Sequence, residues 1–150
     1  KCSIKGGVVT PTVRLMASIE TAIRALLVGN SNVTDLVSTR IYPIAAPENA
    51  TRPFVVYELE EIDPVDALNS YTGVSFCNVD IVVWSESYST SKNVDEKIRA
   101  VLLDYSGTSD TIVIKHCRHD NTKDAAVWTA DGKELPLYGV ESTWRIMYNR

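Results

Sequence analysis

The segment from residue 74 to residue 84 restricts the fold more than any other part of the chain. Cys77, Val79, Ile81 and Val83 alternate there with Phe76, Asn78, Asp80, Val82 and Trp84. Successive side chains on a strand point to opposite sides, so a period of two sets an apolar row on one face. The other face mixes aromatic, aliphatic and polar groups. The apolar row must be taken out of water for the chain to fold. The mixed row predicts a face only partly covered, by a further element or by another subunit.

Two amphipathic helices supply the cover. Ile19, Ile23, Leu26 and Leu27 recur at i, i+4, i+7 and i+8, the period of one helical face. Ser18 is placed to cap the first turn, and Gly29 to end the helix in a left-handed conformation. Ser31 is placed to cap a short second turn through Val33, Leu36 and Val37. A longer helix is expected from Ser87 or Tyr88 to Tyr105, with Val94, Ile98, Val101, Leu102 and Tyr105 as its stripe and Gly107 as its stop.

The remaining strand signals are β-branched and aromatic runs. Residues 54–59 form one, and Pro53 suits only its first position because proline cannot donate to a ladder. Residues 63–73 read as a polar connection. Further strands are expected at residues 111–117, 125–129 and 138–148, with Asp131-Gly132 as a turn between the last two. No βα unit repeats. The order predicts the α+β class, an antiparallel or mixed β-sheet with two main amphipathic helices packed on one face.

The 150 residues divide into residues 1–15 and one domain over residues 16–150. The first segment carries Lys1, Lys5 and Arg14 and no acid, and Gly6-Gly7 and Pro11 break any regular pattern. It reads either as an arm that orders against a neighbour or as an extension upstream of Met16. No apolar run approaches the roughly 18–20 residues that span a bilayer, so no membrane partner is expected. A net charge of −4 opposes general nucleic-acid binding, whose footprint is basic. The three cysteines (Cys2, Cys77, Cys117) have no metal-ligand spacing and read as reduced thiols of a cytosolic product.

Reactive constellations are weak. His116-Cys117-Arg118-His119 looks the most chemical, but alternation sends His116 and Arg118 to one side and Cys117 and His119 to the other. A zinc site needs three or four converging ligands, and no second Cys or His group completes one. Cys77 falls in the apolar row and reads as a small core residue. A rival reading remains, a small-ligand-binding or enzymatic α+β domain using His116 and Cys117, which requires those side chains to converge in one pocket. No cofactor is expected, since no glycine-rich phosphate loop is present.

Charge is unevenly spread. Between Pro53 and Ser91 the chain has acids (Glu58, Glu60, Glu61, Asp63, Asp66, Asp80, Glu86) and no Lys or Arg. The C-terminal part carries Lys115, Arg118, Lys123, Lys133, Arg145 and Arg150 among its acids. Such runs usually form solvated faces or guarded edges. The functional alternative is electrostatic, an acidic side of one subunit meeting a basic side of the next.

Four blocks in order resemble the bacteriophage tail-completion (tail-to-head joining) family. They are the first helix leading into Arg40-Ile41-Tyr42-Pro43, then Arg52-Pro53-Phe54-Val55-Val56-Tyr57, then Val79-Asp80-Ile81-Val82-Val83-Trp84 with Ser87-Tyr88 and a long helix, and finally Gly139-Val140-Glu141-Ser142-Thr143-Trp144-Arg145-Ile146. The resemblance implies a structural, non-enzymatic virion protein, made in the host bacterial cytoplasm. It would form a homo-oligomeric, hexameric ring that caps the head-proximal end of the tail tube. Its partners would be the tail tube protein and a head-closure or neck protein, with non-specific contact to genome DNA in the lumen. A head-closure or neck connector is the neighbouring alternative. Candidate interface residues are Glu58, Glu60, Glu61, Asp63 and Asp66 on the acidic side and Arg118 and Lys133 on the basic side. Tyr71 and Trp128 are added because aromatics dominate interface energetics.

Overall fold

The computed structural model describes residues 18–47, 50–66, 71–128 and 137–149. Helix α1 (Ile19–Val28) and the short α2 (Ser31–Val37) come first, followed by strands β1 (Ile41–Pro43), β2 (Phe54–Asp66) and β3 (Tyr71–Ser85). Helix α3 (Tyr88–Leu102) then leads into β4 (Gly107–Ser109), β5 (Ile112–Trp128) and β6 (Leu137–Asn149). The six described strands form one sheet in the order β1-β2-β3-β6-β5-β4. Among the described strands only β1 runs parallel to its neighbour; every other described pair is antiparallel. The class is the expected α+β, with a mixed sheet.

The alternating row of β3 does what its period demands. Cys77, Val79, Ile81 and Val83 are buried, joined from β6 by Val140, Trp144, Ile146 and Tyr148. Against them lie Ile19, Ala22, Ile23 and Leu27 of α1, Val33 and Val37 of α2, and Val94, Ile98 and Leu102 of α3. Ser18 caps α1 as expected: its hydroxyl accepts from Thr21 N, and the Thr21 hydroxyl accepts from Ser18 N at 3.0 Å.

Several boundaries differ from the sequence reading. Gly29 is right-handed, with φ −77°, because α2 follows at once and the chain has no room for a left-handed exit. Asn30, not Ser31, caps α2; its side-chain oxygen accepts from Asn32 N at 2.9 Å. Helix α3 stops at Leu102, where Asp104 turns left-handed and its N–H donates to Cys117 O at 3.1 Å; Gly107 instead opens β4. The polar stretch after residue 59 is strand almost to its tip, and the two strands expected at 111–117 and 125–129 are the single β5. The Asp131-Gly132 turn lies outside the described residues.

Two long hairpins therefore build the sheet's centre. Val74 pairs with Asn149 and Ser85 with Tyr138, so the β2–β3 hairpin closes toward one end of the sheet and the β5–β6 hairpin toward the other. This arrangement gives the subunit two distinct ends.

Candidate assembly surface

The face away from the helices is assembled by register. Asp80 stands opposite Glu58 on one side and Thr143 on the other, and Thr143 stands opposite Asn121. The Thr143 hydroxyl donates to Asp80 Oδ1 at 2.7 Å. In the adjacent row Asn78 faces Arg145, and Arg145 faces Arg118. Arg145 donates from Nη1 to Asn78 Oδ1 at 3.1 Å and lays its guanidinium over the Phe76 ring, 4.7 Å from the centroid. Between these groups Phe76, Val82, Trp84 and Met147 remain half-buried.

This face is polarised across its strands. Glu58 opposite Asp80 is a like-charge pair, and so is Arg145 opposite Arg118. Like charges directly opposite on neighbouring strands cost stability unless something compensates. Arg118 is compensated by Asp120, 3.0 Å from its Nε, and Lys123 by Glu141 at 3.5 Å. Both ion pairs have an exposed partner, where such contacts contribute little.

The described candidate interface residues are spread along β2, the start of β3 and β5. Glu58 and Glu60 are exposed on β2. A bulge between Leu59 and Glu61 makes Glu60 the extra residue and sets Glu61 opposite Asn78. Asp63 and Asp66 take the positions opposite Phe76 and Tyr71 toward the tip. Trp128 ends β5 opposite Leu137 at the far end of the sheet. Lys133 lies outside the described residues.

The sequence of residues 21–131 matches the family model described as tail completion protein gp17. The chain belongs to this phage tail-completion family. A tail-completion protein of this family is a structural component of the phage tail. No curated protein matches the sequence. Among solved structures, a chain of the "Virion of native gene transfer agent (GTA) particle" is similar to this tail-completion protein in fold. The TM-score is 0.65 at 16% identity, over 88% of this chain and 95% of that one.

The chemical-looking residues of this tail-completion protein are spread apart. Cys117 is buried on the helix side, whereas His116 is exposed on the other side with Nε2 3.1 Å from Asp104 Oδ1. His119 packs its ring edge-on to Trp144, 4.9 Å between centroids, with Nε2 2.6 Å from the Thr122 hydroxyl. The convergence that the enzymatic rival requires is therefore not met at His116 and Cys117. Cys77 and Cys117 both stand opposite Ile146, one strand to either side, so their Cα atoms are about 10 Å apart, too far for a disulfide. Burial pushes both thiols up to about 12, which suppresses the nucleophilic thiolate. Among the described residues no group of His, Cys, Asp and Glu could hold a metal ion, and no helix is long and apolar enough to cross a membrane.

Two features escaped the sequence reading. The first is a polar network under α3. Asp95 is buried there, 3.8 Å from Arg99, and bonds Ser142, whose hydroxyl accepts from Trp144 Nε1 at 3.0 Å. Burial raises the Asp95 carboxyl, and the Arg99 charge opposes the rise. The i,i+4 spacing of Asp95 and Arg99 was a legible signal; the Ser142 partner, far along the chain, was not. The second is a notch of about 480 Å³ at the β1 edge, lined by Glu20, Pro43, Ile44, Tyr57, Glu58 and Leu59. Ile44 is 73% exposed there. Its φ of 65° is a left-handed conformation that a β-branched residue adopts only under strain.

Proposed function

We propose that this protein assembles as a hexameric ring on the head-proximal end of the tail tube and joins the tail to the head or neck. Membership of the tail-completion family over residues 21–131 carries the reading. The shape of the subunit supports it. Hairpins that close toward opposite ends of the sheet suit a subunit that meets the tail tube protein at one end and a head-closure or neck protein at the other. A closed ring uses two different surfaces of each subunit, and an open face with separate acidic and basic halves offers complementary ones. Glu58, Glu60, Glu61, Asp63, Asp66 and Tyr71 would serve the acidic side; Arg118 and Lys133 would serve the basic side, with Trp128 as an anchor. Genome passing through the lumen needs no base readout, so any contact with DNA would be non-specific and salt-dependent.

Electron microscopy of particles made without this protein tests the reading. Finished heads beside overlong or unjoined tails are the expected result. Complete tails beside leaking heads would instead assign the protein to head closure.

A further inference from the structure

The notch at the end of β1 combines an apolar lining with two uncompensated charges. Pro43, Ile44, Tyr57 and Leu59 supply the lining, and Glu20 and Glu58 flank it. Among the described residues neither carboxylate has a cation at ion-pair distance. Arg24, one helical turn on from Glu20, donates instead to Ile41 O at 3.0 Å and Thr39 O at 3.3 Å. Ala45 N–H donates to Pro43 O at 2.6 Å, so Ile44, with φ 65°, is the centre of a strained γ-turn. That turn holds its side chain out in solvent at the rim. A notch of this kind fits a cation on an aliphatic stem, whose methylenes lie along the lining while the head meets the carboxylates.

The chain carries such a group on the other side of the sheet. Lys115 falls between the Ile114–Tyr148 and His116–Met147 pairs and is the extra residue of a bulge, a device that re-aims side chains. Lys115 is exposed, and so is Val113 two residues before it, at 39%. Lys92 and Lys123 have carboxylate partners at 3.6 Å and 3.5 Å. Lys97 and Lys115 have none among the described residues, and of the two Lys115 has the exposed valine beside it. Glu58 on β2 and Lys115 on β5 are separated by β3 and β6. Strand spacing and rise put them roughly 20 Å apart, so they cannot meet within one subunit. A notch on one side and its complement on the other make a head-to-tail contact, the kind that a closed ring repeats.

We propose that Lys115 of a second copy enters this notch, its ammonium between Glu20 and Glu58 and its Val113 against Ile44. The contact rests on the ring proposed above and names the residues that close it. The test treats assembled particles with a water-soluble carbodiimide, which joins a lysine to a carboxylate in direct contact, and maps the links by mass spectrometry. A Lys115–Glu58 link is the expected result, beside the internal links Lys123–Glu141 and Lys92–Asp124. Lys115→Glu should cut joined particles roughly tenfold, and combining it with Glu58→Lys should restore most of them. Internal links without the Lys115–Glu58 link overturn the proposal, as does a double variant no better than either single one. Lys115 linked to a different protein overturns it in favour of that partner. The ring itself fails separately, if particles made without this protein join normally.

Discussion

The two faces of the sheet are made by the same strands and obey different rules. On the helix side the β3 and β6 rows are buried, and buried hydroxyls there have partners: Ser142 accepts from Trp144 Nε1, and Ser91 of α3 donates to Tyr138 O at 2.8 Å. On the open side the same strands hold half-buried Phe76, Trp84 and Met147 beside like-charge pairs. Folding alone explains the first face. The second keeps half-buried aromatic and apolar groups at a surface no described element covers, as the proposed assembly would require.

The comparison is sharpest at Trp144. It is fully buried, and truncation to alanine would leave a cavity and remove the indole N–H that the Ser142 hydroxyl accepts from. Trp144→Ala should cost about 3–5 kcal/mol in denaturant unfolding. At the rim of the sheet the sign should reverse. Ile44 is exposed and left-handed, so Ile44→Asn should raise stability by about 1 kcal/mol, because asparagine tolerates that conformation. A loss of stability would mean that Ile44 packs in the folded monomer.

Asp95 tests the polar network. Its folded pKa is raised by burial, so between the unfolded and folded values the native state holds the proton that the unfolded chain has released. Stability should therefore fall as pH rises from the ordinary aspartate range through the raised value, then level off. Asp95→Asn should flatten that slope in urea midpoints followed from acid to neutral pH. An unchanged slope would remove Asp95 as its source.

The smallest effect on folding is expected at Glu58. Reversing it to lysine replaces the Glu58–Asp80 repulsion with attraction, so stability should hold or rise by a few tenths of a kcal/mol.

What was legible in the sequence follows the same division. The α1 stripe, its Ser18 cap and the β3 alternation are local patterns with a buried side, and they survive intact. Strand β5 was read as two pieces because its middle, from Arg118 to Asp124, has little apolar alternation to signal a strand. Its register on β6 includes shifts near His116, Asn121 and Trp128, and nothing in the sequence marks a bulge. The cross-strand partners of the open face, such as Asn78 and Arg145, are far apart in sequence and meet only through register. The acidic and basic runs were visible; the like-charge pairs they make were not.

One measurement bears most directly on the claim that the open face exists for assembly. Particles carrying Glu58→Lys should be counted for joined heads and tails, alongside the melting behaviour of the purified variant. Wild-type stability with a marked loss of joined particles is the predicted result. Wild-type stability with normal joining would contradict it.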